Sequence, residues 1–480
     1  MDKMGMWQYM DERAKELLKI SDDIWECPET AFKEKQSADY LCDSLEKEGF
    51  TVTRNIAGIE TAFVGKYGQG KPVIGYLGEF DALAGLSQKA DVFEKKALKE
   101  EENGHGCGHN MLGVGSLIAA VGLKHYLEDN NKAGTIVYFG CPGEEGGSGK
   151  AFMAKQRVFD ELDAALTWHP NDFNAVWTYT SNANYQIYYK FYGVSSHAAA
   201  SPEHGRSALD AVELMNSGVQ YLREHIIQDA RIHYAITNTG GFSPNVVQAY
   251  AEVLYLIRAP KLNLLDEIYA RVNDIARGAA LMTGTEVEID FVKGCSNFIQ
   301  NNTIEEILFK NMLAVELPKF DEKEMEYAQK IVDTFANKEN NLKDIVKRYQ
   351  NSGNKQYILE NIKEPINNFV MPYEVNDYVM PGSTDVGDVT WICPTGQLYS
   401  TTWAVNTSAH SWQAVAQGKS SIAHKGTLYA AQVIAGVGVD LINNPKDIER
   451  AKLELNHRLD GITYKSPIPD GVIPRAIENK

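Results

Sequence analysis

The residues able to do chemistry are gathered at a few turns. Gly104-His105-Gly106-Cys107-Gly108-His109-Asn110 sets a thiol and an imidazole two residues apart among glycines. A tight loop of this kind can bring both onto one ion; zinc favours such ligands, and glycine supplies the backbone angles. The competing reading is a buried cysteine beside a helix-capping Asn110. Glu144-Glu145 follows a short apolar run. Adjacent carboxylates at a sheet edge repel unless a cation neutralises one of them. Their side chains point different ways, so one can bind metal while the other faces a substrate as a base. Taken alone, the pair reads as a solvated acidic turn. His169 ends the apolar run 164–168, and Asp81 follows the run 72–77. An aspartate there can receive the second N–H of a ligand imidazole or cap a helix. His410 and His424 lie far along the chain, and composition does not choose between them. Together these groups fit a binuclear, water-activating metal site.

The elements that must position them follow α/β grammar. Residues 7–25 have helical periodicity, and a second helix over 33–48 ends at Gly49. Strands are expected at 51–54, 62–66, 72–77, 134–140 and 164–168, with an apolar helix from His109 to about Leu127. Strand, loop, helix, strand predicts a mostly parallel sheet, and in such sheets ligands collect at the carboxyl ends of strands. Near residue 184 the pattern changes to an alternating strand. There follow a helix at 206–226, strands at 231–237 and 246–258, a helix at 262–282 and a strand through Val287, Ile289 and Phe291. This β-α-β-β-α-β order is that of ferredoxin-like units. The division expected is a main domain built from residues 1–183 and 297–480, interrupted by an inserted ferredoxin-like domain over 184–296. Residues 315–375 are densely charged and read as a partly helical surface elaboration without chemistry. Residues 382–388 read as a loop, 421–441 as a helix, and the tail after Pro467 as irregular.

The chain has 480 residues, enough for two or three folding units. Lys plus Arg is 47 against 64 for Asp plus Glu, a formal charge of −17 that disfavours binding to nucleic acid phosphates. No apolar run reaches the ~18 residues of a membrane span, and no signal-peptide core follows Met1, so the cytoplasm is the expected home. Six scattered cysteines without a C-x-x-C pair are expected to be mostly free, buried thiols, with Cys107 the exception.

Asp81-Ala-Leu, Gly106-Cys-Gly-His109-Asn110, Gly143-Glu-Glu-Gly-Gly147 and Trp168-His169-Pro170, in that order, resemble the aminoacylase/carboxypeptidase family of dinuclear amidohydrolases. Gly78–Gln88, Cys141–Lys150, Ser383–Val389 and Ser421–Gly426 extend the likeness across most of the chain. The resemblance implies two divalent metal ions, Mn or Zn, held by Cys107, His109, Glu145, His169 and His410. Cys107 would bridge, and Glu145 and His169 would serve different ions. It selects His410 over His424 because the family ligand precedes the last helix by a loop. Glu144 matches the general acid/base and Asp81 the metal-orienting aspartate. His197 matches a histidine that reaches the partner's active site to stabilise the oxyanion, and Asn245 and Arg258 match residues holding the substrate carboxylate. The implied reaction is hydrolysis of a small-molecule amide to a free amino acid, with p-aminobenzoate and glutamate as expected products. A dipeptide or another N-acyl amino acid is the alternative substrate, and a non-catalytic partner the alternative role. The implied assembly is a homodimer or a pairing with a related A-type subunit. Where many relatives carry His-x-Asp, this chain has Glu79-Phe80-Asp81, and the role of Glu79 stays open.

Overall fold

The computed structural model describes residues 1–476. Helix α1 (Lys3–Glu26) buries Met6, Met10, Leu17, Leu18 and Ile24 along one stripe, and α2 (Lys35–Lys47) buries Leu41, Cys42 and Leu45. Strands β1 (Thr51–Arg54), β2 (Phe63–Gln69) and β3 (Val73–Glu79) follow. Then come α3 (His109–Asp129), β4 (Gly134–Cys141), the short α4 (Glu144–Gly147) and α5 (Gly149–Lys155). Strand β5 (Ala164–Asn171) precedes the two-residue strands β6 (Ala175–Val176) and β7 (Thr180–Ser181). Strands β3 and β4 are buried along their whole length, as near-continuous apolar runs covered on both faces must be. Helix α3 is buried almost all round. It lies flat on the sheet because a Cβ at Gly115 would stand 2.6 Å from the Trp168 ring, and one at Gly113 2.7 Å from the Glu79 carbonyl.

The chain then builds β8 (Ala183–Tyr192), α6 (Ala208–Leu222), β9 (Arg231–Asn238), β10 (Tyr250–Ala259), α7 (Leu262–Thr283) and β11 (Glu286–Cys295). The four strands form an antiparallel sheet in the order β11-β8-β10-β9, with β9 at a free edge. Tyr189, Phe191, Val253, Tyr255, Val212 and Val272 belong to a core of its own beneath α6 and α7.

The return path runs through α8 (Asn302–Ala314), α9 (Glu322–Val332), α10 (Leu342–Ile345), α11 (Ser352–Asn361), β12 (Val379–Met380), α12 (Val386–Thr390) and β13 (Thr395–Thr401). It ends in α13 (Trp412–Gln417), α14 (Ser421–Asn443) and α15 (Pro445–Leu459). Strand β13 completes a seven-stranded sheet, β1-β2-β4-β3-β5-β13-β6. The pairs β4-β3, β3-β5 and β5-β13 are parallel, and the antiparallel pairs lie toward the edges. The chain is thus an α/β protein with a mostly parallel central sheet. Several local expectations need correction. Strand β5 runs to Asn171, so His169 lies within it. Residues 386–390 are a short helix, in which Asp388 accepts from the N–H and the hydroxyl of Ser296. Helix α15 is an addition to the elements expected from sequence. The last four residues of the expected segment 297–480 lie outside the described ones. Among the described residues no helix is long and apolar enough to cross a membrane, and the six cysteines are free thiols, five of them buried.

Candidate metal centre

Three turns converge on the carboxyl end of β5. Gly108, at φ +77°, ends the Gly-rich loop and starts α3, which puts Cys107 and His109 against the tip of β5. Gly143, at φ +66°, turns the chain out of β4 so that Glu144 and Glu145 open α4. Its N–H donates to Glu34 Oε1 at 2.9 Å, which fixes that corner. The backbone N–H of His410 donates to the Gly106 carbonyl at 2.7 Å, tying the distant loop to the Gly-rich one. His424 lies 2.8 Å from Asp22, while His410 Nε2 lies 2.8 Å from Glu145 Oε1.

The donor atoms form three overlapping groups, each with its atoms within 4.8 Å of one another: Cys107, His109 and His169; Cys107, Glu145 and His410; and Glu79, His109 and Glu144. Cys107 Sγ is 3.3 Å from His169 Nε2. The outer imidazole nitrogens are occupied, His109 Nδ1 by Asp81 Oδ1 at 2.8 Å and His169 Nδ1 by the Pro170 carbonyl at 2.8 Å. Both rings therefore turn Nε2 inward. Among the described residues the buried His109 Nε2 makes no hydrogen bond. Asp81 also accepts from the Glu145 N–H, in the first turn of α4, at 2.9 Å, whereas Asn110 donates to the Ser21 and Gly418 carbonyls and caps no helix. An orphaned imidazole nitrogen beside a thiol and carboxylates is the donor set that a divalent cation satisfies.

The electrostatics point the same way. Burial, reinforced by Glu145, pushes the Cys107 thiol well above its ordinary range, so a thiolate there needs a cation. Burial and the neighbouring His109 lower His169 to about 4, which keeps it a neutral ligand. Burial works against charge on His109, but Cys107 and Asp81 outweigh it and raise that imidazole. Burial raises Glu144 well above the carboxylate range, with Glu79 and Glu145 adding to it.

Three residues near the centre carry no expectation from sequence beyond the open question of Glu79. Lys150, fully buried, places Nζ 2.6 Å from both Glu79 Oε1 and Asp385 Oδ1. Glu79 Oε2 in turn lies 3.2 Å from His109 Nε2. Where the His-x-Asp pattern would place a histidine, the chain has a buried lysine salt bridge. Tyr399, paired with His169 across β13 and β5, presents its ring edge-on at 6.1 Å.

The remaining candidates stand apart from the donor groups. His197 is bridged to Val246, and the Ala198 N–H donates to the Asn245 carbonyl at 2.9 Å, in loops of the antiparallel-sheet unit. The His197 Nδ1 accepts from the N–H groups of Ala199 and Ala200. Arg258, on β10, donates to Ser383 Oγ at 3.3 Å and leans on the Pro381 carbonyl.

A model of peptidase family M20/M25/M40 matches residues 77–395. The chain belongs to that family and is a metallo-amidohydrolase. It is 47% identical over 461 residues to the B subunit of p-aminobenzoyl-glutamate hydrolase of Escherichia coli, with 96% of each chain covered. It is 32% identical over 308 residues to Xaa-Arg dipeptidase of Mus musculus, covering 62% of this chain and 67% of the relative. Among solved structures, a dinuclear metal-binding M20 peptidase of Bacillus subtilis shares the fold, with TM-score 0.53 and 15% identity over 90% of this chain and 99% of that one.

Proposed function

We propose that the chain hydrolyses the amide bond of p-aminobenzoyl-glutamate to p-aminobenzoate and glutamate. The observation that carries this reading is the sharing of Cys107 between two donor sets, in a chain nearly half identical, end to end, to an enzyme named for that substrate. In this reading Cys107, His109 and His169 would hold one ion, and Cys107, Glu145 and His410 the other. Thiolate favours zinc, while carboxylate and imidazole also accept manganese, so the donor set suits either. Bound there, such ions polarise an amide carbonyl and lower the pKa of water.

The chain's own groups do the rest. Glu144 takes the proton of the attacking water and returns it to the leaving amine nitrogen. Asp81 fixes the His109 tautomer and ring orientation through Nδ1. Arg258, with its planar fork, and Asn245 hold the substrate carboxylate. His197 of a second protomer donates to the developing oxyanion, the second protomer being another copy of this chain or a related A-type subunit. Residues 184–296 act as the lid and dimerisation unit of a main domain built from residues 1–183 and 297–480, and the free edge of β9 supports pairing there. The free thiols support a reducing, cytoplasmic setting.

A second reading, cleavage of dipeptides, is favoured by the likeness to Xaa-Arg dipeptidase. Assaying the purified chain, loaded with Mn or with Zn, against p-aminobenzoyl-glutamate and a dipeptide panel separates the two. A higher kcat/KM on any dipeptide overturns the first reading. Absence of turnover with either metal, restored by adding an A-type subunit, reduces the chain to a partner.

A further inference from the structure

The third donor group, Glu79, His109 and Glu144, has no part in the two-ion assignment. Glu79 ends β3, and its two oxygens meet different partners. Oε1 lies 2.6 Å from Lys150 Nζ, and Oε2 lies 3.2 Å from His109 Nε2. Lys150, on α5, is itself held at both ends. Asp385, just before α12, accepts from its backbone N–H at 2.8 Å and from Nζ at 2.6 Å. Glu79, Lys150 and Asp385 are all buried.

A salt bridge that only steadied the fold would close on itself, and this one stays open on two counts. One ammonium faces two carboxylates, and among the described residues no other lysine or arginine pairs with either, so one negative charge is left over in the interior. The oxygen turned away from Lys150 faces a nitrogen that is buried and makes no hydrogen bond. That nitrogen is the inward donor of His109, so a second donor atom is aimed at the same point. Two atoms bonded at ~2.0–2.2 Å to one ion, at a tetrahedral angle, stand roughly 3.3–3.6 Å apart. The 3.2 Å between Oε2 and Nε2 is close to that separation. Glu144 in the same group adds to the demand, since neighbouring carboxylates repel unless a cation neutralises one of them.

We propose that Glu79 is a further ligand of the ion assigned to Cys107, His109 and His169, with Lys150 and Asp385 as the positioning residues that turn its Oε2 toward that ion. The inference rests on the two-ion reading of the centre. Its test uses the full chain and zinc alone, and it reads bound metal rather than turnover. In a crystal structure of the zinc-loaded native chain, Glu79 Oε2 should lie within ~2.2 Å of one ion, and a separation above ~3 Å overturns the proposal. In solution, competition with a chromophoric chelator gives the affinity for each ion. Glu79→Gln keeps the shape and an acceptor for Lys150 but loses the carboxylate; it should weaken one ion by about 100-fold and leave the other within about threefold. Lys150→Met should weaken the same ion by about tenfold, the worth of a group that orients a ligand. Glu79→His breaks the pair with Lys150 but supplies an imidazole, itself a ligand, and should hold that ion within about tenfold of native. Equal losses in Glu79→Gln and Glu79→His mark a merely structural pair and overturn the proposal, as does native affinity in Glu79→Gln. Where a variant does not fold, the zinc-loaded native crystal still decides. A native chain that binds no zinc overturns the two-ion reading together with this inference. Two bound ions with Glu79 remote from both overturn this inference and leave that reading standing.

Discussion

Asp81 and Glu145 at the donor cluster and Glu305 on α8 are all carboxyl groups taken out of water, yet their titration is driven in opposite directions. Burial opposes the charge on Asp81, but His109 at 2.8 Å reverses the effect and lowers it below the ordinary value. Glu145 is lowered in the same way, burial being outweighed by His410 and His109. Glu305 has no imidazole or thiol among its influences: its carboxyl group accepts from the Tyr373 hydroxyl at 3.2 Å, and burial raises it to about 8. Burial alone therefore makes a carboxyl group neutral. At Asp81 and Glu145 the neighbouring imidazoles reverse that effect, so these buried carboxylates stay charged and ready to serve a cation.

The harshest disruption of that arrangement is Cys107→Ala. It removes the one donor common to the groups holding His169 and His410, so in the proposed reading both groups should lose their metal together. Elemental analysis of the purified variant should find less than half the native metal content, with hydrolysis abolished. Full occupancy would remove Cys107 from the ligand set. Glu144→Gln should leave the metal content intact and lower kcat by ~10²–10⁴-fold, the usual worth of a positioned proton-transfer group. Turnover within tenfold of native would end its assignment as the base.

The loops of the antiparallel-sheet unit make the contrast finer, since the His197 ring is held by two backbone N–H groups rather than by a carboxylate. His197→Ala should lower kcat by ~10²-fold, as for one oxyanion donor, with metal content unchanged. Mixing it with Glu144→Gln should restore part of the activity, because each mixed pair then holds one intact site. No recovery on mixing would mean that His197 acts within its own chain or not at all.

How far the sequence can be read follows from which contacts are local. Glu144, Glu145 and His169 lie at or just past the end of an apolar strand, and Cys107 and His109 where the apolar helix of the same repeat begins, so α/β grammar brings them toward one edge. His410 cannot be separated from His424 in that way, because its placement depends on a backbone hydrogen bond to Gly106 across about three hundred residues of chain. Lys150 escapes a reading of the sequence because nothing in a Gly-rich turn announces that a lysine will be swallowed between Glu79 and Asp385. Helix α15 is different, for its signal is local: Pro445 at its first turn precedes Ile448, Ala451 and Leu455 at helical spacing.

A milder substitution probes the neutral carboxyl group instead. Glu305 packs against Tyr373, with Arg458 weakly favouring its charge and Glu454 opposing it. Its folded value near 8 lies above the ordinary 4.5 of the unfolded chain. Between those two pH values the folded state holds a proton that the unfolded state has released. Stability therefore falls as pH rises through that window, by up to ~1.4 kcal/mol per unit, and levels off above it. Glu305→Gln carries no ionisable proton and keeps the acceptor for Tyr373. Its Tm should change less than the native Tm between pH 5.5 and pH 8.5, by about 2 °C or more for a chain of this size. Parallel Tm profiles for the two proteins would show that Glu305 ionises in place, and that burial does not by itself neutralise a carboxyl group in this fold.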